Sequence, residues 1–297
     1  MFSNLFDQAM EETSSSSVPS ANGGNHSIFV ISVGGSALFS DSTPNVARIR
    51  EIAVSISNLA SEGYKFALVV GGGPIARSYI SAAREVNANN FALDELGIAI
   101  TRANAFLFLC ALDKAHPFVL TSFQEATPLV EQGKIPVFGG LVPGFTTDAV
   151  GALLAEKLNA TFVNLSNTDG IYSSNPATNS RARLYRELSF EKLFDLASKA
   201  EHKPGQNFPV DLVSAMILKR SQVGAIFLNA NNMDNFKSAI RGASFVGTAV
   251  QESEEIQEES EEESSDAPGD AQTQTEESDE SEIVRPKKKN PDDYFPF

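Results

Sequence analysis

The sequence predicts an α/β fold in three layers, a sandwich of helices around a mainly parallel sheet. Short apolar, β-branched runs alternate with longer stretches of helical periodicity, a pattern typical of βαβ units. Three of these runs end in glycine-rich turns. Ligands in such sheets bind beyond the carboxyl ends of the strands, so we expect these turns to line one crevice.

Each expected element follows from its own pattern. Strands are predicted at 28–33, 64–70, 118–120, 135–138, 161–165 and 225–228. A helix is predicted from Thr43-Pro44 to Leu59, and another opens at Pro74, because proline suits a first helical turn. Further helices are predicted at 90–112 (as one helix or two), 123–131, 148–158, 190–200, 210–222 and 235–240.

The composition divides the chain into three regions. The chain has 297 residues, 42% of them hydrophobic, and a net charge of −15. Residues 251–297 hold 17 acids and 4 bases, or −13, which predicts a disordered acidic tail. Its aromatic tip, Tyr294 to Phe297, indicates a protein-docking motif. Residues 28–250 carry the apolar patterns of one folded domain. Residues 1–250 together have a charge of only −2, which does not support a broad nucleic-acid surface.

The first 27 residues are expected to form a disordered extension. Phe2, Leu5, Phe6, Ala9 and Met10 fall on one face of a short amphipathic helix, and a linker rich in Ser, Gly and Asn follows. A helix this short needs a surface to dock on, and plain disorder is the alternative reading.

The cysteines, the histidines and the apolar runs of the sequence exclude several classes of protein. The single cysteine, Cys110, rules out a disulfide framework within the chain, and its apolar surroundings predict a buried thiol. The three histidines lack the spacing of zinc ligands. No apolar run is long enough to span a bilayer, and the amino terminus does not read as a secretory signal. We therefore expect a cytoplasmic protein.

Two glycine turns suit the close approach of a ligand. Gly34-Gly35-Ser36 follows the first strand, and Gly71-Gly72-Gly73 follows the second, with Arg77 one helical turn later. Glycines let backbone N–H groups reach a phosphate, although turns of this kind also occur for steric reasons alone.

The stretch 135–158 has the features of an anion site. A strand ends in Gly139-Gly140, a loop follows, and Thr146 or Thr147 caps a helix whose amino end carries a partial positive charge. An ordinary strand-to-helix turn is the other interpretation. The turn after 165 offers a hydroxyl, an amide, a carboxylate and a ring that is either a lid for a base or a packing anchor, supplied by Ser166, Asn167, Asp169 and Tyr172.

Taken in order, these segments resemble the amino acid kinase superfamily, and within it the archaeal-type uridylate (UMP) kinases. The resemblance covers 28–250. The matching segments are Gly34-Gly35-Ser36, Val70-Gly71-Gly72-Gly73 with Arg77, Asp94-Glu95-Leu96-Gly97, Gly139-Gly140, Pro143 to Ala149, Asn167 to Tyr172 with Pro176, and Gly247-Thr248.

The resemblance implies an α/β/α sandwich that transfers the γ-phosphoryl group of ATP to UMP, with both sites in one domain. It implies Mg²⁺ carried by the ATP phosphates rather than by a protein metal site. Homohexamers are common in the family, and the apolar stretch 106–112 would suit a subunit interface.

The resemblance also assigns roles to residues. Catalytic roles fall to Ser36, Arg77 and Asp148. ATP would be held by Gly35, Ser36, Gly73, Arg77, Ser166, Asn167, Tyr172 and Asn175. UMP would be held by Gly72, Asp94, Leu141, Val142, Pro143, Gly144, Phe145, Thr146 and Thr147.

Several positions depart from the family pattern. Ser32 stands where many members have a lysine, although archaeal-type uridylate kinases often lack that lysine as well. Leu141 and Val142 stand where the family usually has a threonine and a histidine. Ser166 replaces a usual threonine, and Asn175 replaces a usual aspartate. Two alternatives therefore stay open: a non-catalytic nucleotide-binding paralogue, and a related kinase acting on a carboxylate or carbamate.

Overall fold

The structure, a computed structural model, describes residues 27–201 and 209–252. The predictions for the amino-terminal extension and the acidic tail fall almost wholly outside these residues. Among the residues described, no helix combines the length and apolar character needed to cross a bilayer.

An eight-stranded sheet forms the centre of the fold. Its strands are β1 (Ile28–Val33), β4 (Lys65–Val70), β5 (Ala115–Leu120), β6 (Ile135–Phe138), β7 (Thr161–Ser166), β8 (Glu187–Leu188), β9 (Ala225–Asn229) and β10 (Thr248–Val250). The spatial order is β5-β6-β4-β1-β7-β9-β10-β8. The six strands from β5 to β9 are parallel, while β10 runs antiparallel to β9. Five of the parallel strands, β1, β4, β6, β7 and β9, are almost entirely buried, as expected of a sheet covered on both faces, whereas the edge strand β5 is largely accessible.

Helices cover both faces of this sheet. They are α1 (Gly35–Leu38), α2 (Val46–Ser61), α3 (Gly73–Glu85), α4 (Asn90–Leu109), α5 (Ala126–Glu131), α6 (Thr147–Leu158), α7 (Phe190–Glu201), α8 (Leu212–Ser221) and α9 (Met233–Ile240), with a 3₁₀ turn at Phe123–Glu125. One core cluster joins the sheet to α2, α9 and the end of α4. The other joins it to α5, α6, α7 and α8. The predicted three-layer α/β/α sandwich is confirmed.

The helix predicted from Thr43-Pro44 begins later than expected. Thr43–Pro44 forms β3, which pairs with β2 (Phe39–Ser40) in a small hairpin. Asn45 then caps α2, because its side-chain oxygen accepts from the backbone N–H of Arg48 at 3.0 Å. Asparagine satisfies a free helical N–H, which proline at the first turn does not do, and this local bond sets the boundary.

The predicted burial of Cys110 is wrong, because its side chain is exposed. The apolar run around it belongs to α4, which is a single helix that ends at Leu109. Phe108 is fully buried. Cys110 is two residues further on, about 200° around the helix, and therefore faces the other side.

Candidate functional site

The first two glycine turns touch each other at the carboxyl ends of β1 and β4. Gly71 donates its N–H to the carbonyl of Val33 at 2.9 Å, which joins the two strand ends. A Cβ on Gly35 would lie 2.1 Å from the amide nitrogen of Gly73, so only glycine permits this approach. Gly73 also has φ of +62°, in the left-handed region. Two adjacent glycine turns at the ends of parallel strands form a cradle suited to phosphate.

Helix α4 holds this cradle from one side. Asn104 is buried and donates from Nδ2 to the carbonyls of Gly71 and Gly72, at 2.9 and 3.0 Å. With both carbonyl oxygens bound to Asn104, the peptide units of the second glycine turn have a defined orientation. The sequence predicts no site role for Asn104.

The same helix supports the turn after β6. Thr101 accepts the N–H of Gly140 at 2.6 Å and donates its hydroxyl to the carbonyl of Ile98 at 2.7 Å. Arg102 donates from Nε to the carbonyl of Gly140 at 3.2 Å. Arg102 therefore helps to hold the turn after β6.

The loop 141–147, which we call the acceptor loop, crosses the mouth of the crevice. Gly144 donates its N–H to Oδ2 of Asp94 at 2.9 Å, so the loop and α4 are joined at this point. Val142 and Phe145 are exposed, at 48% and 40%, whereas Leu141 and Pro143 are half-buried. The loop thus combines an anchored backbone with exposed apolar side chains.

Of the two threonines that could cap α6, Thr146 and Thr147, the structure shows that Thr146 is the cap. Its hydroxyl oxygen accepts the N–H of Ala149 at 3.0 Å and its hydroxyl donates to Oδ2 of Asp211 at 2.6 Å. Asp211 in turn caps α8 by accepting from Ser214, through the backbone N–H and the hydroxyl. Because the Thr146 hydroxyl is used in this way, Thr147 is the one free to face the crevice, where its Oγ lies beside Gly71.

Asp211 is a residue that sequence reasoning missed. It stands 65 residues after Thr146, and its position at the start of a predicted helix signals only a cap. Nothing in that local signal indicates which distant hydroxyl the second oxygen would meet.

Asp148 lies at the start of α6 and is held from the sheet beneath. Its Oδ1 accepts from the Ser32 hydroxyl at 2.5 Å and from the Asn164 amide at 3.0 Å. Burial raises the pKa of Asp148 to about 6, against the lowering effect of the Ser32 hydrogen bond, and the nearby charge of Asp211 raises it further. Ser32 therefore orients Asp148, but without the positive charge that a lysine would bring there.

The turn after β7, residues 166–177, lines a cavity of about 440 Å³ together with Pro209 and Asn229. Asp169 accepts at Oδ1 from the Asn229 amide, 2.8 Å away, and at Oδ2 from the Tyr172 hydroxyl, 3.1 Å away. Burial raises the pKa of Tyr172, and the charge of Asp169 adds to this effect. The hydroxyl of Tyr172 is thus held by Asp169 at the wall of the cavity.

Asn175, the position with a usual aspartate, closes the same cavity. Its side-chain oxygen accepts the N–H of Ala177 at 2.9 Å and stabilises the turn. Ser166 accepts the N–H of Thr168 through its hydroxyl at 3.3 Å. Both replacements therefore keep local contacts that hold the turn.

The predicted site residues fall into three groups. Gly35 meets Gly72 and Gly73 at the strand ends, where Thr147 lies beside Gly71, and Asp94 joins the acceptor loop. Asn167, Tyr172 and Asn175 share the cavity. Ser36 and Arg77 are exposed beside the cradle, on α1 and α3. A larger hollow of about 570 Å³ between α2 and α9 contains none of the predicted site residues.

Facing glycine turns, a capped helix and an oxygen-rich cavity at one end of a parallel sheet define a phosphate-handling α/β protein. Residues 27–229 match the amino acid kinase family. The chain belongs to this family, and the resemblance drawn from its motifs is confirmed.

Its relatives narrow the comparison. The uridylate kinase of Thermococcus sibiricus is 41% identical over 224 residues, which are 75% of this chain and 98% of that protein. That of Archaeoglobus fulgidus is 39% identical over 222 residues, or 74% and 98%. The crystal structure of the Archaeoglobus fulgidus uridylate kinase matches with a TM-score of 0.66 at 38% identity, over 75% of this chain and 99% of that one. The UMP kinase of Bacillus anthracis, at 21% identity and a TM-score of 0.65, covers 75% of this chain and 95% of that one, and it shares the fold.

Proposed function

We propose that this protein is a kinase that transfers the γ-phosphoryl group of ATP to UMP and releases UDP and ADP. The observation that carries the proposal is the contact between Gly35 and Gly73, with Thr147 beside Gly71. Phosphoryl transfer needs two nucleotides held end to end more than it needs covalent chemistry. A cradle between a base-sized cavity and a second loop supplies that arrangement.

The ATP would lie on the side of the 440 Å³ cavity. Asn167, Tyr172 and Asn175 line this cavity and would hold the base and the sugar. The backbone N–H groups of Gly35, Ser36 and Gly73 would bind the phosphates, as would the exposed Arg77, whose charge favours the transferred group. Ser166 supports this turn from beneath.

UMP would lie on the side of the acceptor loop. Asp94 would accept hydrogen bonds from the ribose, and the amino end of α6 with Thr147 would receive the phosphate. Thr146 would act through its hydroxyl bonds to Asp211 and Ala149, which hold the helix end in place. Leu141, Val142, Pro143 and Phe145 would provide apolar contacts, with Gly72 and Gly144 giving backbone ones.

Mg²⁺ would be bound mainly through the ATP phosphates. Among residues 27–201 and 209–252, no three His, Cys, Asp or Glu side chains cluster so as to hold a metal ion. A single carboxylate, Asp148, stands at the junction of the two sides, which fits an ion that takes most ligands from phosphate. Mg²⁺ would neutralise charge on the transferred group, and Asp148 would orient the Thr147 end of α6 towards it.

A non-catalytic nucleotide-binding paralogue is the second candidate. Ser32 leaves Asp148 without a cation of the protein beside it in the described contacts, and burial raises the pKa of Asp148. Lower charge neutralisation would slow transfer without preventing binding of either nucleotide. The double substitution Leu141→Thr and Asn175→Asp distinguishes this candidate from the active kinase. A large gain in rate would indicate that the natural site has decayed.

We also propose that the protein is a cytoplasmic homo-oligomer, with a hexamer as the expected form. Phe106 and Leu107 on α4 are 55% and 40% exposed, which is unusual for large apolar side chains on a free surface. Sedimentation analysis of the full chain tests this. A monomer at micromolar concentration would contradict it.

A coupled assay of ADP release tests the activity. UMP, CMP, AMP and several small carboxylic acids are offered separately with ATP and Mg²⁺. We expect UMP to be the best acceptor. Tight UMP binding without turnover would reject the kinase and favour the binding paralogue, while turnover of an acid would favour the carboxylate kinase.

A further inference from the structure

A small basic hollow lies at the base of the sheet, at the opposite end from the glycine turns. It has a volume of about 210 Å³, and Lys65, Lys114 and Lys134 are the charged residues that line it. Lys65 opens β4, a strand of 6 residues, or roughly 20 Å, that leads to the second glycine turn. The hollow is therefore separate from the site that the two nucleotides would occupy.

The three lysines stand side by side across the sheet, and we call them the lysine row. In the sheet, β6 lies between β4 and β5. The register of these strands, continued back past their first paired residues, places Lys65 level with Lys134 and Lys134 level with Lys114. Neighbouring strands are about 4.8 Å apart, so the lysine row spans roughly 10 Å. Like charges at this spacing repel one another, and an anion among them would relieve that repulsion.

Main-chain contacts fix the backbone beneath the lysine row. Lys134 donates its N–H to the carbonyl of Leu129 at 2.9 Å, and the carbonyl of Lys114 accepts from the N–H of Ile135 at 3.1 Å. Lys114 also has φ of +59°, in the left-handed region that residues other than glycine rarely adopt. The lysine side chains therefore start from defined positions.

The lysine row lacks a full counter-charge within residues 27–201 and 209–252. None of the five ion pairs found there involves these lysines. Glu62, close by in sequence, is paired with Arg241 at 2.6 Å. The carboxyl ends of α2 and α5 line the hollow and contribute at most roughly −0.5 each. Of three formal positive charges, about two therefore remain uncompensated.

A phosphate group matches both the charge and the space. Near neutral pH the phosphate of a monoester carries about −1.5 to −2, and its oxygens accept hydrogen bonds from ammonium groups. The hollow, at about 210 Å³, is about seven times the share of liquid volume that one water molecule takes. It has room for one phosphate group with a few waters, but not for a whole nucleotide.

We propose that the lysine row binds a single phosphate group, as inorganic phosphate or as the phosphate of a small monoester. The ligand lies across the lysine row and contacts more than one ammonium group, so the loss of one lysine weakens binding at the others. The contact is electrostatic and is screened by salt. It does not depend on the proposed kinase activity.

NMR of the full chain, with its lysines dimethylated by isotope-labelled formaldehyde, tests the proposal. Dimethylation keeps the positive charge, and K65R, K114R and K134R assign the three signals without loss of charge. Inorganic phosphate and glycerol phosphate are titrated separately at constant ionic strength, and the tighter binder identifies the source of the phosphate group. We expect the three signals to saturate together with a Kd on the order of 1 mM, as for about three charge-assisted hydrogen bonds.

Other lysines of the same sample provide the internal control. Lys157, Lys192 and Lys199 are exposed on α6 and α7, and their signals should show no saturation at these concentrations. K134Q removes the middle charge of the lysine row and should weaken the binding seen at the other two lysines at least about tenfold. K192Q is the matched variant and should leave that binding unchanged.

Two outcomes would overturn the proposal. Equal shifts of the lysine row and of the control lysines would show general screening by the anion rather than a site. Unchanged binding at Lys65 and Lys114 in K134Q would show that the three lysines do not share a ligand. Each outcome is read from signals of individual lysines, so phosphate bound at the glycine turns does not mask it.

Discussion

The acceptor loop and the turn after β7 are held in different ways. Asp94 and Asp211 hold the acceptor loop, and they lie 50 and 65 residues from the groups they bind. The turn after β7 is held mostly by bonds within residues 166–179. Residues outside it that also contribute bonds are Arg183, Tyr185, Asn229, Ala230 and Thr248. The acceptor side should therefore respond to remote substitutions, and the ATP side mainly to substitutions in and beside its own turn.

The cradle between the two sides is where a substitution should affect both. Gly35→Ala would place a methyl group 2.1 Å from the Gly73 amide, and the two turns would have to separate. A displacement of about 1 Å at a reacting centre costs on the order of 100-fold in rate, so we expect a loss of that size in kcat with both KM values raised. Steady-state kinetics with each nucleotide varied in turn measures it.

Gly97→Ala is the matched control for this substitution. A Cβ there would meet only the end of the Ile80 side chain, at 3.3 Å, inside a helix that favours alanine. Near-normal rates in Gly35→Ala would contradict the proposal that catalysis needs the close contact between the two glycine turns.

Asp148 should show opposite effects on rate and on stability. Its folded pKa, about 6, is above the usual value of 3.8, so protonation stabilises the folded state. The stabilisation of the folded state by protonated Asp148 is fully present below about pH 4 and is lost as the pH rises through about 6. Asp148→Asn should therefore be more thermostable than the wild-type protein at pH 8. Its kcat should fall on the order of 100-fold.

The pH profile separates this role of Asp148 from a purely structural one. Wild-type kcat should fall as pH drops below about 6, and Asp148→Asn should lack that inflection. Ser32→Ala, which removes one donor to the carboxylate, should move the inflection upwards. An unchanged profile in both variants would remove Asp148 from the proposed chemistry.

Asp211→Ala tests the remote support of the acceptor loop. The Thr146 hydroxyl would lose its acceptor, and the amino end of α6 would gain freedom. We expect KM for UMP to rise about tenfold, as for the loss of one hydrogen bond, with KM for ATP nearly unchanged. Asn45→Ala removes a helix cap elsewhere and should lower stability alone. An equal rise in both KM values would contradict the separation of the two sides.

Asn229→Ala is the corresponding test on the ATP side. Asp169 would lose the amide donor at 2.8 Å and the Tyr172 ring would be held less firmly. KM for ATP should rise by about threefold to tenfold while KM for UMP stays constant. Asn231→Ala alters an exposed neighbour and is the control. No change in either KM would show that Tyr172 needs no support from Asp169.

The contrast between the two sides also explains what the sequence could predict. The three-layer fold could be predicted because apolar strands alternate with amphipathic helices in the sequence. A sheet that is buried on both faces imposes this pattern. A threonine cap before Asp148 follows from the few residue types that satisfy a helical N–H. Asp211 and Asn229 carry only local signals of a cap and a strand end, and their partners depend on how distant elements pack. Cys110 shows the same limit, because an apolar neighbourhood in sequence does not state which way a helical side chain points.

Removal of residues 253–297 should have the smallest effect. The segment is rich in acids and poor in apolar residues, so it has little surface to bury against the folded domain. We expect a Tm within about 2 °C of the full chain and both KM values unchanged, measured by calorimetry and the coupled assay. A Tm lowered by several degrees would mean that the tail contributes apolar contacts, which its composition does not predict.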